Sequence, residues 1–140
     1  MEKIWTKERY EAYPDKNKPG RYKFDDKSVI VINNKTKTYY YLGKIHREDG
    51  PAVEYIDVGA VRIEWYSHGK RHRLDGPACT SFSTEEWFKN GKRHCLIGPA
   101  IVRAWENHIF NQWFIEGEEY SEEEWKKLSF AILNNLEAFL

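Results

Sequence analysis

The sequence lacks the features that define several common protein classes. Its 140 residues include two cysteines, Cys79 and Cys95, too few for a disulfide framework and typical of a reducing compartment. No apolar run approaches the roughly 20 residues that span a bilayer. The first residues also lack the apolar core of a secretory signal. We therefore expect a cytoplasmic protein, in the host cytoplasm if it is viral, with no membrane association.

The sequence also lacks an excess of charge of either sign. Lys plus Arg and Asp plus Glu number 22 each, so the chain has no net positive charge to attract duplex DNA. The densest basic run, Lys70-Arg71-His72-Arg73, is the best candidate for a local basic patch. No glycine-rich phosphate loop, serine-centred elbow or paired-carboxylate motif occurs, and the repeated histidines come from different repeats, which fits a metal site poorly. These absences predict a protein that is not an enzyme and carries no metal or cofactor.

Aromatic residues are abundant, and they organise an internal repeat. The 6 Trp, 9 Tyr and 7 Phe favour strands and binding surfaces. Four segments begin with two adjacent aromatics, have Gly four residues after the first aromatic, and have His or Tyr three residues after that Gly. Three of them continue into a Gly-Pro-Ala block, which Asp precedes in two. The four segments begin at residues 39, 65, 87 and 113.

Each repeat has the pattern of a β-hairpin. Val61, Ile63 and Trp65 alternate with polar or aromatic neighbours, as in a half-buried strand. Asn90-Gly91 is a tight-turn signal, and the Asp-Gly-Pro block marks a second turn. We therefore predict an all-β, mainly antiparallel fold of three to four stacked hairpin repeats in an open sheet. The unequal repeat lengths place extra residues in loops near 56–60 and 105–108.

The two ends of the chain differ from the repeats. We interpret residues 1–140 as a single domain, with an irregular segment and a hairpin over 1–38, the four repeats over 39–120, and a capping helix over 121–140. Ser121 followed by three glutamates is a capping box, which begins a helix extending to about residue 139. One apolar stripe of this helix is expected to face the sheet. It comprises Trp125, Leu128, Ile132, Leu136 and Phe139.

At this point the residues resemble a known family. The string from Phe88 to His94, Phe-Lys-Asn-Gly-Lys-Arg-His, resembles a MORN repeat. The longer pattern, through Asp-Gly-Pro-Ala, resembles the MORN-like repeats of small proteins from bacteriophages and giant viruses. The stretch 117–124 is similar to the ending of those proteins, with Glu118 in place of Lys. The resemblance implies stacked hairpins and a scaffolding or binding role.

The repeated polar residues have two possible roles. His46, His72 and His94 recur with Asp49 and Asp75. Repetition favours hydrogen bonds by which each His and Asp secures its own double turn over an acid–base pair or a metal site, since an active site is normally built once. Arg47 and Arg73 follow the first two histidines. They form either a ladder of cations for phosphates or carboxylates or surface ion pairs with nearby glutamates.

The third repeat departs from the first two. Cys95 and Ile97 stand where those repeats have Arg and Asp. This change indicates either burial, under the C-terminal helix or in a dimer contact, or an apolar patch for a partner. A nucleophilic role for Cys95 is disfavoured because the adjacent His94 would point to the opposite face of a strand.

The second aromatic of each repeat is a further candidate for binding. The first aromatics, Trp65, Trp87 and Trp113, are assigned to the core, so their neighbours point to the other face. If that face is open, it offers a row of flat anchors; otherwise the terminal helix covers it. This row comprises Tyr40, Tyr66, Phe88 and Phe114.

These observations favour binding over catalysis. The resemblance to small bacteriophage proteins implies the leading interpretation, a phage-encoded protein that inhibits a host protein, such as a bacterial defence protein, by stoichiometric binding. The alternatives are a sponge for a small nucleotide signal, a structural scaffold and, least favoured, a phosphate-ester hydrolase. A homodimer through a sheet edge or the third repeat is also considered. The candidate binding residues are Tyr40, Arg47, Tyr66, Lys70, Arg71, Arg73, Phe88, Cys95 and Ile97.

Overall fold

The protein is a mainly antiparallel β-protein with an open sheet and a C-terminal helix, as the sequence predicts. A computed structural model describes residues 3–57, 59 and 61–137. The chain divides into two compact units, Met1–Lys70 and Arg71–Leu140. No helix within the described residues is both long enough and apolar enough to cross a bilayer.

The first unit is a meander of antiparallel strands with a short parallel strand at its edge. The order of paired strands is β1-β2-β3-β4-β6-β7, with β5 paired to β4 and β1 parallel to β2. The elements are β1 (Ile4–Trp5), α1 (Lys7–Glu11), β2 (Gly20–Phe24), β3 (Ser28–Ile32), β4 (Thr36–Tyr41), β5 (Lys44–Ile45), β6 (Val53–Tyr55), β7 (Arg62–Glu64), β8 (Tyr66–Ser67) and β9 (Lys70–Arg71), within which the unit ends.

The start of the chain is ordered, although its polar composition predicted irregular structure over residues 1–20. Thr6 caps α1 by accepting the backbone N–H of Arg9 at 3.2 Å. The helix turns Tyr10 inward, where it packs with Trp5 and the inner face of the leading hairpin. Two aromatic side chains in a polar segment thus attach it to the sheet, since each buries a large apolar area, and the pairing of β1 with β2 adds backbone hydrogen bonds. The core cluster comprises Trp5, Tyr10, Tyr22, Phe24, Ile30 and Ile32.

The second unit repeats the hairpin plan and ends in the long helix. Its paired strands run in the order β10-β11-β14-β15-β16, and β12 pairs with β13 in a separate hairpin. The elements are β10 (Cys79–Ser81), β11 (Thr84–Glu86), β12 (Phe88–Lys89), β13 (Lys92–Arg93), β14 (Ile101–Trp105), β15 (His108–Ile115), β16 (Glu118–Tyr120) and α2 (Glu122–Glu137).

Helix α2 begins with the capping box that the sequence predicts. The Ser121 hydroxyl accepts the backbone N–H of Glu124 at 3.3 Å, and the Glu124 carboxylate accepts the backbone N–H of Ser121 at 3.1 Å. Trp125 is buried and Ile132 is partly buried, but Leu128 is exposed, so the buried stripe is narrower than predicted. The side chain of Leu136, and Phe139 as a whole, lie outside the described residues.

The extra residues of the third repeat lengthen a hairpin instead of forming a loop. Trp105 pairs with His108, so β14 and β15 continue to a two-residue turn at Glu106 and Asn107. Glu106 has φ 52°, the left-handed conformation that tight hairpin turns require. The loop predicted near 105–108 is therefore the tip of a regular hairpin that extends past the rest of its repeat.

Candidate binding surface

The repeated histidines hold each hairpin turn to the repeat before it. The backbone N–H of His68 donates to His46 Nδ1, that of Asn90 to His72 Nδ1, and that of Glu116 to His94 Nδ1, each at 3.0 Å. The structure agrees with the hydrogen-bonding role predicted for the histidines but corrects the turn that they hold. Each His secures the turn of the following repeat, whereas the sequence analysis assigned it to the double turn of its own repeat.

The residues that donate these hydrogen bonds are all strained in the same way. His68, Asn90 and Glu116 have φ 49°. The next residue is Gly, also at positive φ, and its N–H donates to a backbone carbonyl of the preceding hairpin. Two backbone donors per turn are thereby satisfied within the protein. The repeat spacing seen in the sequence is therefore the spacing of a turn-to-hairpin contact.

This contact requires a neutral imidazole, because only an unprotonated Nδ1 accepts a hydrogen bond. Burial lowers the pKa of His94 below its ordinary value, and Lys89 also disfavours its protonation, while Glu116 opposes the shift. The neutral form that accepts the Glu116 N–H is therefore favoured. In all three repeats Nδ1 thus acts as the acceptor of a hydrogen bond that holds the backbone of the next turn.

The two arginines close the Asp-Gly-Pro turns of their own repeats. Arg47 Nε donates to Asp49 at 3.0 Å and its terminal nitrogen donates to the Pro51 carbonyl at 3.2 Å. Arg73 makes the equivalent bonds, to Asp75 at 2.9 Å and to the Pro77 carbonyl at 3.3 Å. The hydrogen bond from its arginine lowers the pKa of each aspartate. Of the two roles considered for Arg47 and Arg73, the structure shows ion pairing: both pair with the aspartate of their own turn, and Arg47 also donates to Glu54 at 2.9 Å.

The glycine of each turn lies directly against the guanidinium group. A Cβ on Gly50 or Gly76 would come within 2.8 or 2.7 Å of the arginine Cζ, whereas a Cβ on Gly98 would meet nothing within 4 Å. The third repeat has Cys95 in place of the arginine, which explains the difference. The requirement for glycine in the turn is thus tied to the arginine three residues earlier.

We predict that Gly76→Ala will lower the free energy of unfolding by about 1–2 kcal/mol, because Arg73 must give up its bond to the Pro77 carbonyl. Gly98→Ala should change it by less than about 0.5 kcal/mol. Urea titrations followed by tryptophan fluorescence give both values. In an Arg73→Cys background the Gly76→Ala penalty should vanish; a penalty that persists would contradict the clash.

The residues of the basic run have different environments. Lys70 is exposed, whereas Arg71 is partly buried with its guanidinium 5.6 Å from the Phe88 ring centroid. His72 and Arg73 serve the turn contacts described above. Within the second unit, Arg71, His72 and Arg73 are therefore each engaged in contacts of their own, which disfavours the local basic patch considered from the sequence.

The third repeat buries one of its two unusual residues and exposes the other. Cys95 lies in a cluster with Ala100, Ile101 and Phe114, and burial raises the pKa of its thiol. Its carbonyl accepts the indole N–H of Trp125 at 2.8 Å. Burial beneath α2, one of the predicted alternatives, thus holds for Cys95. It fails for Ile97, which is 77% exposed.

The row of second aromatics is not an open binding face. Phe88 and Phe114 are buried, and Tyr66 is partly buried with its hydroxyl donating to Glu64 at 2.9 Å. The simple alternation fails because β7 ends at Glu64 and β8 begins at Tyr66, so Trp65 lies between two strands. The expected anchors at Tyr66 and Phe88 therefore serve the interior of their own units.

Tyr40 faces a depression of 710 Å³ in the first unit. The charges around this depression are mainly negative, and its two cations, Lys7 and Arg47, are each paired with a lining carboxylate. Such a site disfavours an anionic nucleotide. The lining carboxylates belong to Glu11, Asp26, Glu48 and Asp49.

A second surface, which the sequence analysis did not single out, lies at the tip of the β14–β15 hairpin. Trp105, Ile109 and Phe110 are 70%, 71% and 56% exposed. The strand register places Trp105 and Phe110 on one face of the hairpin and Ile109 on the other. We call these three residues the apolar tip. The exposed Phe82 lies in the neighbouring turn, where Ser83 accepts the Ala104 N–H at 2.8 Å.

A signal for the apolar tip was present in the sequence. Ala100 and Trp113 are separated by four more residues than Ala78 and Trp87, and the added stretch contains large apolar side chains. Because a loop was expected there, the alternation of these apolar side chains with polar ones did not lead to a prediction of two paired strands with both faces exposed. Insertion length together with apolar content identifies this surface better than the repeated aromatics do.

The described residues contain no group of three or more His, Cys, Asp or Glu side chains arranged to hold a metal ion. Comparison with known proteins adds no family assignment. No protein-family model, no curated protein and no solved structure matches this chain.

Proposed function

We propose that this chain is a non-catalytic binding protein that docks onto a protein partner through the apolar tip. The observation that carries the proposal is the exposure of Trp105, Ile109 and Phe110 together at the end of one rigid hairpin. Large aromatic residues supply most of the binding energy in protein interfaces. Single exposed apolar residues are ordinary, but a contiguous group of them marks an interaction site.

The repeat architecture does not require the apolar tip. The second repeat makes the corresponding turn between two strands of three residues each, β10 and β11. Strand β11 consists of the polar residues Thr84, Glu85 and Glu86. The third repeat extends this hairpin and places apolar side chains on both faces of the extension. A fold that is complete without these residues, yet exposes them to water, supports a role in recognition.

The proposed form of this binding is stoichiometric inhibition of a host protein by a phage-encoded protein in the host cytoplasm. This form rests on the resemblance to small MORN-like proteins of bacteriophages. The pairing of Arg47 and Arg73 and the acidic depression around Tyr40 disfavour the alternative of a nucleotide sponge.

The proposal predicts that a bacterial lysate contains a partner that the purified protein captures in a stoichiometric amount. Truncating a central aromatic typically costs 2 kcal/mol or more, so Trp105→Ala should weaken capture by about thirtyfold. Phe110→Ala should act in the same direction. The matched control is Leu74→Ala, which removes an equally exposed apolar side chain elsewhere in the second unit.

Capture is quantified by the amount of partner eluted at a series of lysate concentrations, with the fold of each variant checked by circular dichroism. An eluate that contains no stoichiometric partner would count against the proposal. Equal capture by Trp105→Ala, Phe110→Ala and the wild-type protein would exclude the apolar tip as the binding surface.

A further inference from the structure

We propose that the outer edge of β15, from His108 to Gln112, binds an extended segment of the partner as an added β-strand, and that this segment carries basic residues beside an uncharged centre. The inference deepens the proposed function and rests on it. It assigns the partner a conformation and a charge.

The first argument is that this edge is open. On its inner side β15 pairs with β14 over the whole of His108–Gln112. On its outer side β16 pairs only with Trp113–Ile115. In the part of the chain that the structure describes, no strand pairs with the outer side of His108–Gln112, and residues 108–111 are exposed. Five residues match the usual length of a strand.

The second argument concerns the backbone groups at this edge. The Ala104 N–H donates to Ser83, so Ala104 turns its backbone groups toward β11. Antiparallel strands alternate in this respect, so Arg103 and Trp105 turn theirs toward β15 and bond to Phe110 and His108. Ile109 and Asn111 therefore direct their N–H and C=O groups outward. These are the groups that a partner strand would engage.

The third argument is that the edge lacks the usual protection against added strands. Exposed edges in soluble proteins normally carry charged side chains, proline or a covering element. The segment Asn107–Gln112 has no charged residue and no proline. Ile109 and Phe110 also present apolar side chains to opposite faces, so an added strand would find an apolar neighbour on each side.

The fourth argument identifies the charge of the occupant. Between Arg103 and Lys126 the chain contains seven glutamates and no Lys or Arg. Glu116, Glu122 and Glu123 are paired with Lys89, Lys126 and Lys127, and Glu124 caps α2. Within the described residues, the glutamates outside any ion pair at the two ends of the open edge are Glu106, in the turn before His108, and Glu118 and Glu119, on β16. A second copy of this chain would bring the same negative charges to the contact. A segment with flanking Lys or Arg would complement them.

The test uses a synthetic probe peptide of about six alternating Val and Thr residues, with Lys residues at both ends. Amide hydrogen exchange of the full chain is followed by NMR with and without the peptide. The peptide should slow exchange at Ile109 and Asn111 by about tenfold or more, which corresponds to 1.4 kcal/mol. A peptide with the same central sequence but Glu residues at both ends should leave the exchange rates of both amides unchanged.

Two controls separate backbone pairing from side-chain contact. Asn111→Pro removes an outward N–H, which an edge strand tolerates, and should abolish protection. Asn111→Ala keeps that N–H, so the peptide should still protect the amides from exchange. If Asn111→Pro fails to fold, a probe peptide N-methylated at every central residue, so that neither edge of its strand carries an N–H, gives the same information on the wild-type protein, and it should not bind.

Several outcomes would overturn the inference. They are an absence of protection by the Lys-flanked peptide, equal protection by the Glu-flanked peptide, and binding that survives N-methylation. Protection of Ile109 and Asn111 that grows with protein concentration alone would assign the edge to a second copy instead. Lysate capture that depends on Trp105 but survives Asn111→Pro would leave the proposed function standing while rejecting strand addition.

Discussion

Replacing Trp125 with alanine is expected to lower the free energy of unfolding by about 3–5 kcal/mol, the range for removing a large buried aromatic side chain. Trp125 is 6% exposed, and its ring centroid lies 4.5 Å from that of Trp113. Its indole N–H also donates a hydrogen bond from α2 to the Cys95 carbonyl. The variant therefore removes both the apolar contact and the hydrogen bond that attach the helix to the third repeat.

A conservative variant separates these two contributions. Trp125→Phe keeps an aromatic ring but leaves the buried Cys95 carbonyl without the indole donor, which should cost about 1–3 kcal/mol. Urea titrations followed by circular dichroism measure both variants, with Trp105→Ala as the matched exposed tryptophan. Unfolding free energies that are equal for Trp125→Ala and Trp105→Ala would contradict the assigned role of Trp125.

Replacing Tyr10 with alanine is expected to have a similar effect in the first unit, about 3–5 kcal/mol. Tyr10 is 2% exposed, and its ring makes edge contacts with those of Trp5, Tyr22 and Phe24 at centroid distances of 5.2 to 6.1 Å. Its hydroxyl donates to the Lys16 carbonyl at 2.7 Å. This single side chain thus joins α1 and the following turn to the sheet.

The hydroxyl and the ring of Tyr10 can be tested separately. Burial raises the pKa of Tyr10 to about 12, so the hydroxyl stays protonated and available as a donor at neutral pH. Tyr10→Phe should cost about 1 kcal/mol, the value of one hydrogen bond. Tyr13, which is only partly buried, provides the control Tyr13→Ala, expected to cost less than Tyr10→Ala. A Tyr10→Ala variant as stable as Tyr13→Ala would show that α1 does not depend on this side chain.

The prediction at the start of the chain failed because composition does not reveal long-range contacts. Residues 1–20 are polar on average, with two prolines, and have no extended apolar period. The helix α1 has five residues, too few to be stable alone. It exists because Tyr10 and Trp5 bury against strands formed by residues farther along the chain, a contact that no local pattern records.

The predictions for the repeat were more successful because its chemistry is local. The glycines at 69, 91 and 117 mark turns with positive φ, and Ser121 marks the helix start. These features depend on nearest neighbours along the chain, so a sequence pattern is enough to predict them. The exposed faces were predicted less well, since in the second and third repeats the strand is interrupted at Trp65 and Trp87, and alternation does not continue across such a break.

By itself, then, the sequence determined the fold class, the repeat spacing, the turn positions and the capped C-terminal helix, because these follow from backbone geometry and periodic burial. Only the tertiary structure decided which polar residues were already engaged. It showed that His46, His72 and His94 each hold the next turn and that Arg47 and Arg73 close their own. It also showed that the extended β14–β15 hairpin leaves apolar side chains and a strand edge open, since exposure depends on which neighbours pack nearby and which do not.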